Sequence, residues 1–454
     1  MTTAHRPAAP AKPEGKTPHS SSHAEEYEHE PVPASARKSL LSIAATWFGF
    51  PMNLGSAVFG GVIVYNLGLA KGLLAILVGN LVLFAYVGAL SHHAGSTGKN
   101  FALQATETFG SRGRNLPAGL LATVVIGWFS FQVGLTGTTL SGSLGWSALG
   151  GAAIGGVLYT LLTMCGIRAL SLIGMIATPL FLVLTVVALA YGLNAHTTLG
   201  DTLGYQGAGA TLGFGGAVAI IIAGFADSGT MTADFTRWSK DGKSAVLATL
   251  TAFPFANFLA NGAGGLIVAV GATANPAKDG GGFLNLLTGH SAVLTGIAII
   301  FVFANLGSVA SHCLYNGAVG WSALTPLRMR TLTVILGTVG VAFALTGVWG
   351  YFLDWLNLLG VFVPPIGAIL ITDRVLKAKA GDRPAGTIRV TALVSWASGA
   401  TAAGIAHYAL PELVDPVIGM ITAAVVYAAV ELLLRRRAAE IPDVAEIPDG
   451  ALSA

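Results

Sequence analysis

Asp227 makes the heaviest demand on its surroundings of any residue in this chain. It sits in Gly224-Phe-Ala-Asp-Ser-Gly-Thr230, in the middle of an otherwise apolar run. If that run crosses a bilayer, an ionisable group there costs about 3 kcal/mol to insert, which makes it a candidate functional residue. Such a carboxyl can accept hydrogen bonds from a ligand's amine, carry a proton, pair with His312, or stay a neutral, structurally bonded acid. His312 titrates near neutrality and lies four residues after Ser308 in another apolar run. Trp128 and Gln132 are also four apart, so they share one helical face. They read either as a ring and a carboxamide offered to a ligand, or as a Trp packed between helices and a Gln bonded to a neighbouring backbone. His92 and His93 are adjacent, hence not on one face, and lack a third ligand for a metal motif. Cys165 and Cys313 each lie in an apolar stretch and read as small buried hydrophobes rather than a disulfide.

The elements that must position these residues follow from composition. Hydrophobic residues make up 53% of the chain and charged residues 10%, with a mean hydropathy of +0.70. A soluble domain carries about 25% charged residues, so the solvent here is lipid and the fold class is an all-α integral membrane protein. The 60 glycines suit closely packed membrane helices. Residues 1–36, rich in Pro, Ala, Ser, His and Glu, read as a disordered tail, with no cleavable signal before the first apolar span. About twelve transmembrane helices follow, near 40–68, 72–94, 116–140, 147–166, 169–193, 212–235, 244–271, 291–322, 329–348, 350–373, 389–408 and 413–434. With that count nearly every basic residue between spans falls on one side, from Arg37 and Lys38 to Arg435, Arg436 and Arg437, leaving only Lys71 and Lys278 on the other. The positive-inside rule then makes both termini cytoplasmic, including a C-terminal tail at 435–454.

Two spans are expected to break. The first holds Gly49, Pro51, Asn53, Gly55, Gly60 and Gly61, and the sixth holds the Asp227 segment. They are corresponding members if 37–193 and 194–376 form two five-helix repeats, with 377–434 adding two helices. Interrupted helices at matching places point to a midplane binding site of an inverted-repeat secondary transporter. The competing reading is tight packing through small residues. No phosphate-binding loop accompanies the spans, which argues against a primary pump. A membrane enzyme or channel lacks support, because no catalytic cluster or repeated pore loop is visible.

The chain resembles the nucleobase–cation symporter family, purine–cytosine permease type. The resemblance runs from about residue 32 to 434. It rests on Val32-Pro-Ala-Ser-Ala-Arg-Lys38, Gly127-Trp-Phe-Ser-Phe-Gln132, the segment from Gly224 to Arg237, Leu314-Tyr315 and Val363-Pro-Pro-Ile-Gly367. It implies a leucine-transporter-like fold of two inverted five-helix repeats plus two C-terminal helices. It implies import of cytosine or a related nucleobase by cation-coupled alternating access in a bacterial inner membrane. Carriers of a purine, a hydantoin, allantoin or a thiamine-precursor pyrimidine are the alternatives. A planar, amide-bearing ring needs aromatic faces to stack on and polar groups to read its edge. The resemblance assigns that contact to Trp128 and Gln132 and places the Phe225 ring against the substrate. Asn53 and Asp227 stand where relatives carry an aromatic and a small hydroxyl residue, and His312 joins this set. For a cation, the resemblance implies carbonyls of Gly49 and Met52 with side chains of Asn305 and Ser308. The next position, Val309, offers no oxygen, so Asp227 and His312 tilt the expectation from sodium toward a proton. The expected partners are the small-molecule base and the lipid bilayer, with no nucleic acid, no obligate protein partner, and no cofactor or metal beyond the coupling ion.

Overall fold

The computed structural model describes Tyr27 and residues 30–195, 197–381 and 386–440. Most of both expected tails lies outside these residues. Among the described residues there is no β-strand, only one isolated bridge between Lys38 and Ser239.

The helices run in order: α1 (Leu40–Gly49), α2 (Leu54–Leu67), α3 (Leu69–Thr97), α4 (Phe101–Phe109), α5 (Asn115–Leu144), α6 (Ala148–Met164) and α7 (Ile167–Ala195). Next come α8 (Leu199–Leu203), α9 (Phe214–Ala223), α10 (Ala226–Thr230), α11 (Ala233–Thr236), α12 (Gly242–Leu250) and α13 (Phe258–Ala269). The last six are α14 (Ala292–Ser322), α15 (Met329–Leu345), α16 (Phe352–Phe362), α17 (Pro364–Ala380), α18 (Val390–Ala409) and α19 (Asp415–Glu440). Each expected span coincides with a helix or a linked set of helices. Among the described residues seven have the length and apolarity of a bilayer crossing, and the bent pair α1–α2, taken as one span, makes an eighth. The helices α6, α9 and α15 are apolar but shorter.

Large apolar side chains such as Leu158, Met175, Val186 and Ile300 point outward, while Asn80, Asn257 and Asn261 are buried. That inversion suits a lipid solvent, where helices associate through small residues and interhelical hydrogen bonds. Asn257 donates to Asn80 Oδ1 at 2.8 Å and accepts from Asn261 at 2.8 Å, tying α3 to the π-turn Thr251–Asn257 that links α12 to α13. The crossing of α2 and α13 is reciprocal. A Cβ on Gly60 would overlap the Asn261 carbonyl, and one on Gly264 would overlap the Ala57 carbonyl.

Asp373 fastens the C-terminal helices to the rest. Its two oxygens accept from Arg389 (2.9 Å), Tyr427 (2.7 Å), Thr108 (2.8 Å) and Lys377 (2.9 Å), joining α17, α18, α19 and α4. Two expectations change. Val32, counted with the disordered tail, is buried and its N–H bonds the Gly98 carbonyl at 2.9 Å, because one apolar side chain there finds a pocket beside α3. Cys165 is exposed, unlike buried Cys313, because it caps the C-terminal end of α6.

Candidate functional site

Pro51 has no N–H for the Trp47 carbonyl and its ring crowds the preceding turn, so the first helix cannot run through it. The chain bends by 58° between α1 and α2. Asn53 then restarts the helix, accepting from Ser56 N–H at 3.0 Å while its amide donates to the Phe50 carbonyl at 3.1 Å. The second break lies between α9 and α10, where Phe225 leaves helical geometry at φ −133°.

These breaks face each other across one small cavity. Phe50, Asn53, Ser56 and Phe59 wall it from the first break and α2. Trp128 and Gln132 come from α5, Phe225 and Ser228 from the second break, and Val309 and Cys313 from α14. The rings form a box: Phe50 and Phe225 are 6.0 Å apart between centroids, and Phe59 and Trp128 are 5.9 Å apart. The free volume is about 20 Å³. That is room for about one water, against roughly 300 Å³ or more for a ligand pocket. The rings must part before a heterocycle enters.

Polar groups in the box are few and underused. Gln132 is 2% exposed and its carboxamide makes no hydrogen bond among the described residues, leaving Oε1 buried without a partner. It stands 3.2 Å from where a Cβ on Gly55 would lie, so the glycine lets α2 approach the amide. Asp227 is fully buried beside the Trp128 indole and, like His312, is not among the residues that line the cavity. Its Oδ1 accepts from Ser228 N–H at 2.7 Å, and its Oδ2 has no partner. Buried acceptors are normally paired; Gln132 Oε1, on the cavity wall, is left for a donor from outside the chain, while the Asp227 carboxyl has the Trp128 indole beside it.

His312 is placed otherwise. Its Nδ1 donates to the Ser308 carbonyl at 2.7 Å and its ring meets Phe50 edge-on at 6.5 Å. Among the described residues it forms no hydrogen bond or ion pair with Asp227, and it lies behind the cavity wall rather than on it. Asp234, by contrast, caps α4 by accepting from Phe101 N–H at 3.0 Å.

Gly49, Met52, Asn305 and Ser308 gather where the first break meets α14 and α7. Asn305 clamps the break: its Oδ1 accepts from Leu54 N–H at 2.8 Å and its Nδ2 donates to the Met52 carbonyl at 3.0 Å. The Gly49 carbonyl accepts from Met52 N–H at 3.2 Å. On α7, Thr178 Oγ1 would stand 3.1 Å from a Cβ on Gly49, and a Cβ on Gly174 would meet Ser308 Oγ at 3.4 Å. The four residues are therefore neighbours, but both polar ends of Asn305 hold backbone rather than face open space. Among the described residues no group of three or more His, Cys, Asp or Glu side chains is arranged to hold a metal ion.

Residues 31–406 match the family model described as permease for cytosine/purines, uracil, thiamine, allantoin. The chain belongs to this permease family. It is a multi-pass membrane transporter, not an enzyme. It is 31% identical over 412 residues to the cytosine permease of Escherichia coli strain K12, covering 90% of this chain and 94% of that one. Among solved structures it resembles the inward-facing conformation of Mhp1, with a TM-score of 0.77 at 19% identity over 90% of this chain and 93% of that one. The closed form of Mhp1, a nucleobase-cation-symport-1 family transporter with bromovinylhydantoin bound, gives 0.69 at 20% identity over 90% and 95%. A substrate-bound, outward-open Na+-coupled sialic acid symporter gives 0.66 at 13% identity over 90% and 92%. The fold is thus leucine-transporter-like.

The cavity is also lined by residues that sequence reading passed over: Phe50, Ser56, Phe59, Ser228 and Cys313. A spacing signal was present for some of them. Ser56 and Phe59 are three apart on α2, and Cys313 follows Val309 and Asn305 at intervals of four on α14.

Proposed function

We propose that this permease carries cytosine or a closely related nucleobase, moving it by alternating access around the two helix breaks. The observation that carries the reading is the aromatic box holding the unpartnered Gln132 carboxamide. A nucleobase has two π-faces for Trp128, Phe225, Phe50 and Phe59, and amine and ring N–H donors for orphaned acceptors. Gln132 Oε1, on the cavity wall, is such an acceptor. The likeness to cytosine permease supports this substrate class over a hydantoin.

The coupling ion is a cation, and a proton is favoured over sodium. Sodium needs several unspent oxygens. Here Asn305 is committed to the break at both ends of its amide and Val309 supplies no oxygen, which leaves Ser308 as the remaining side-chain oxygen of the expected set. Asp227, with one free oxygen, is the proton carrier in this reading, and His312 acts through the Ser308 turn rather than by direct pairing.

The basic end of the molecule faces the cytoplasm. Arg37 bonds the Gly95 and Lys240 carbonyls, Lys377 the Glu107 carbonyl, and Arg435 the Gly381 carbonyl, so these loops share one end, in keeping with the positive-inside rule. The greater likeness to the inward-facing than to the closed form of Mhp1 supports a conformation tilted toward that side.

The test is uptake of radiolabelled cytosine in cells lacking their own permease, with sodium present or replaced by choline. Saturable uptake indifferent to sodium and abolished by an uncoupler is expected. Sodium-dependent uptake would return the cation role to Gly49, Met52, Asn305 and Ser308. A correctly localised protein that takes up no cytosine would overturn the substrate.

A further inference from the structure

A second cavity, of about 260 Å³, lies at the basic end between α3, α4 and α17, away from both helix breaks. Two helix faces build it. Ala89 meets His92 and His93 on α3, and Ile371 meets Arg374 and Val375 on α17, at the i, i+3 and i, i+4 spacings that bring side chains together. Gln104 of α4, itself buried, also lines the cavity.

Its charge is unbalanced. Glu107 is paired with Lys99, and Asp373 with both Lys377 and Arg389. Arg374, half-buried in the cavity wall, makes no hydrogen bond or ion pair among the described residues. His93 Nδ1 is buried there without a partner. A guanidinium presents five donors in a fixed fork that matches carboxylate or phosphate oxygens. The helix ends at Thr97 and Ala380 carry partial negative charge, but that influence fades within the last turn, and Arg374 is farther in.

We propose that this cavity binds a phosphate-bearing anion, the headgroup of an acidic phospholipid, through Arg374, His93 and His92. The rim favours lipid as the source of the phosphate. Ala89 and Val375 at the mouth are exposed and apolar, Val375 by 46%, on two helices with the apolarity of membrane spans. An acyl chain lies along that rim while the headgroup enters. Basic pockets between spans at the cytoplasmic side are where anionic headgroups bind.

The experiment is native mass spectrometry of the purified full chain after incubation with equal amounts of phosphatidylglycerol and phosphatidylcholine of matched acyl chains. Wild type is expected to retain phosphatidylglycerol selectively. Arg374→Gln loses about fivefold in retention, the factor one basic residue contributes near an anionic surface. Val375→Glu, a change at an exposed position, sets a repelling charge at the mouth and produces a similar loss, while Arg374→Lys keeps most of the binding. Millimolar inorganic phosphate should not displace the lipid; displacement would make soluble phosphate the ligand and overturn the lipid assignment. Equal retention of the two lipids by wild type, or no loss in either Arg374→Gln or Val375→Glu, would overturn the proposal altogether.

Discussion

Replacing Gln132 by Leu separates a ligand-reading residue from a structural one, because the two roles predict opposite changes in stability. The Gln132 side chain is 2% exposed and spends none of its hydrogen-bonding capacity within the described chain. A buried polar group left unsatisfied costs about 1–3 kcal/mol. An apolar side chain of similar size removes that cost, so Gln132→Leu should melt at the same temperature as wild type or higher. Transport should move the other way. A hydrogen bond is worth about 1 kcal/mol net, and stranding the base's own polar edge adds about 1–3 kcal/mol. Together these amount to about 3 kcal/mol, or roughly a hundredfold in apparent affinity for the base. Uptake at subsaturating radiolabelled cytosine, normalised to membrane-inserted protein, reads the affinity, and thermal melting of the purified protein reads the stability. Wild-type uptake by the variant, or a melting temperature several degrees lower, would refute the reasoning and make Gln132 a packing residue.

The remaining expectations concern the breaks and the helix crossing. Asp227→Asn removes the ionisable oxygen while keeping the shape. Uptake assayed between about pH 5 and pH 8 should lose its pH dependence or change its ranking of bases, and a variant unchanged in both respects would make Asp227 a structural acid. Asn305→Ala strands the Leu54 N–H and the Met52 carbonyl at once. It should cost about 2–5 kcal/mol, seen as a large drop in melting temperature. Gly264→Ala drives a Cβ into the Ala57 carbonyl and should destabilise by at least about 2 kcal/mol. Gly296→Ala, with nothing near its added carbon, should be neutral or mildly stabilising in the same melting assay.

The broken helices were legible because their causes are local. Pro51 cannot donate to the turn before it, Asn53 is a capping residue by type, and the Gly224–Thr230 segment combines flexible and polar residues in mid-span. The pairing of Trp128 with Gln132 was legible for a similar reason, since a four-residue interval fixes a shared face whatever surrounds it. The apolar composition likewise specifies a multi-span protein before any packing is known, and the side-to-side distribution of basic residues sets the expectation for its orientation.

Other features depend on contacts between residues far apart in the chain, and there the tertiary structure decided. The family resemblance made Asn305 a candidate cation ligand; the fold shows both ends of its amide bonded to a break some 250 residues away. His312 and Asp227 were plausible partners by chemistry, yet Nδ1 of the histidine is held by its own helix, at the Ser308 carbonyl. Phe50 and Phe59 were ordinary apolar residues until the facing break supplied Phe225 and α5 supplied Trp128. An unpaired Arg374 became visible only once Asp373 was seen to be engaged by four other groups. Side-chain type and spacing set what a residue can offer, because period and propensity are local. Whether the offer is already taken is a question of neighbours, and those are assembled only by the packed helices.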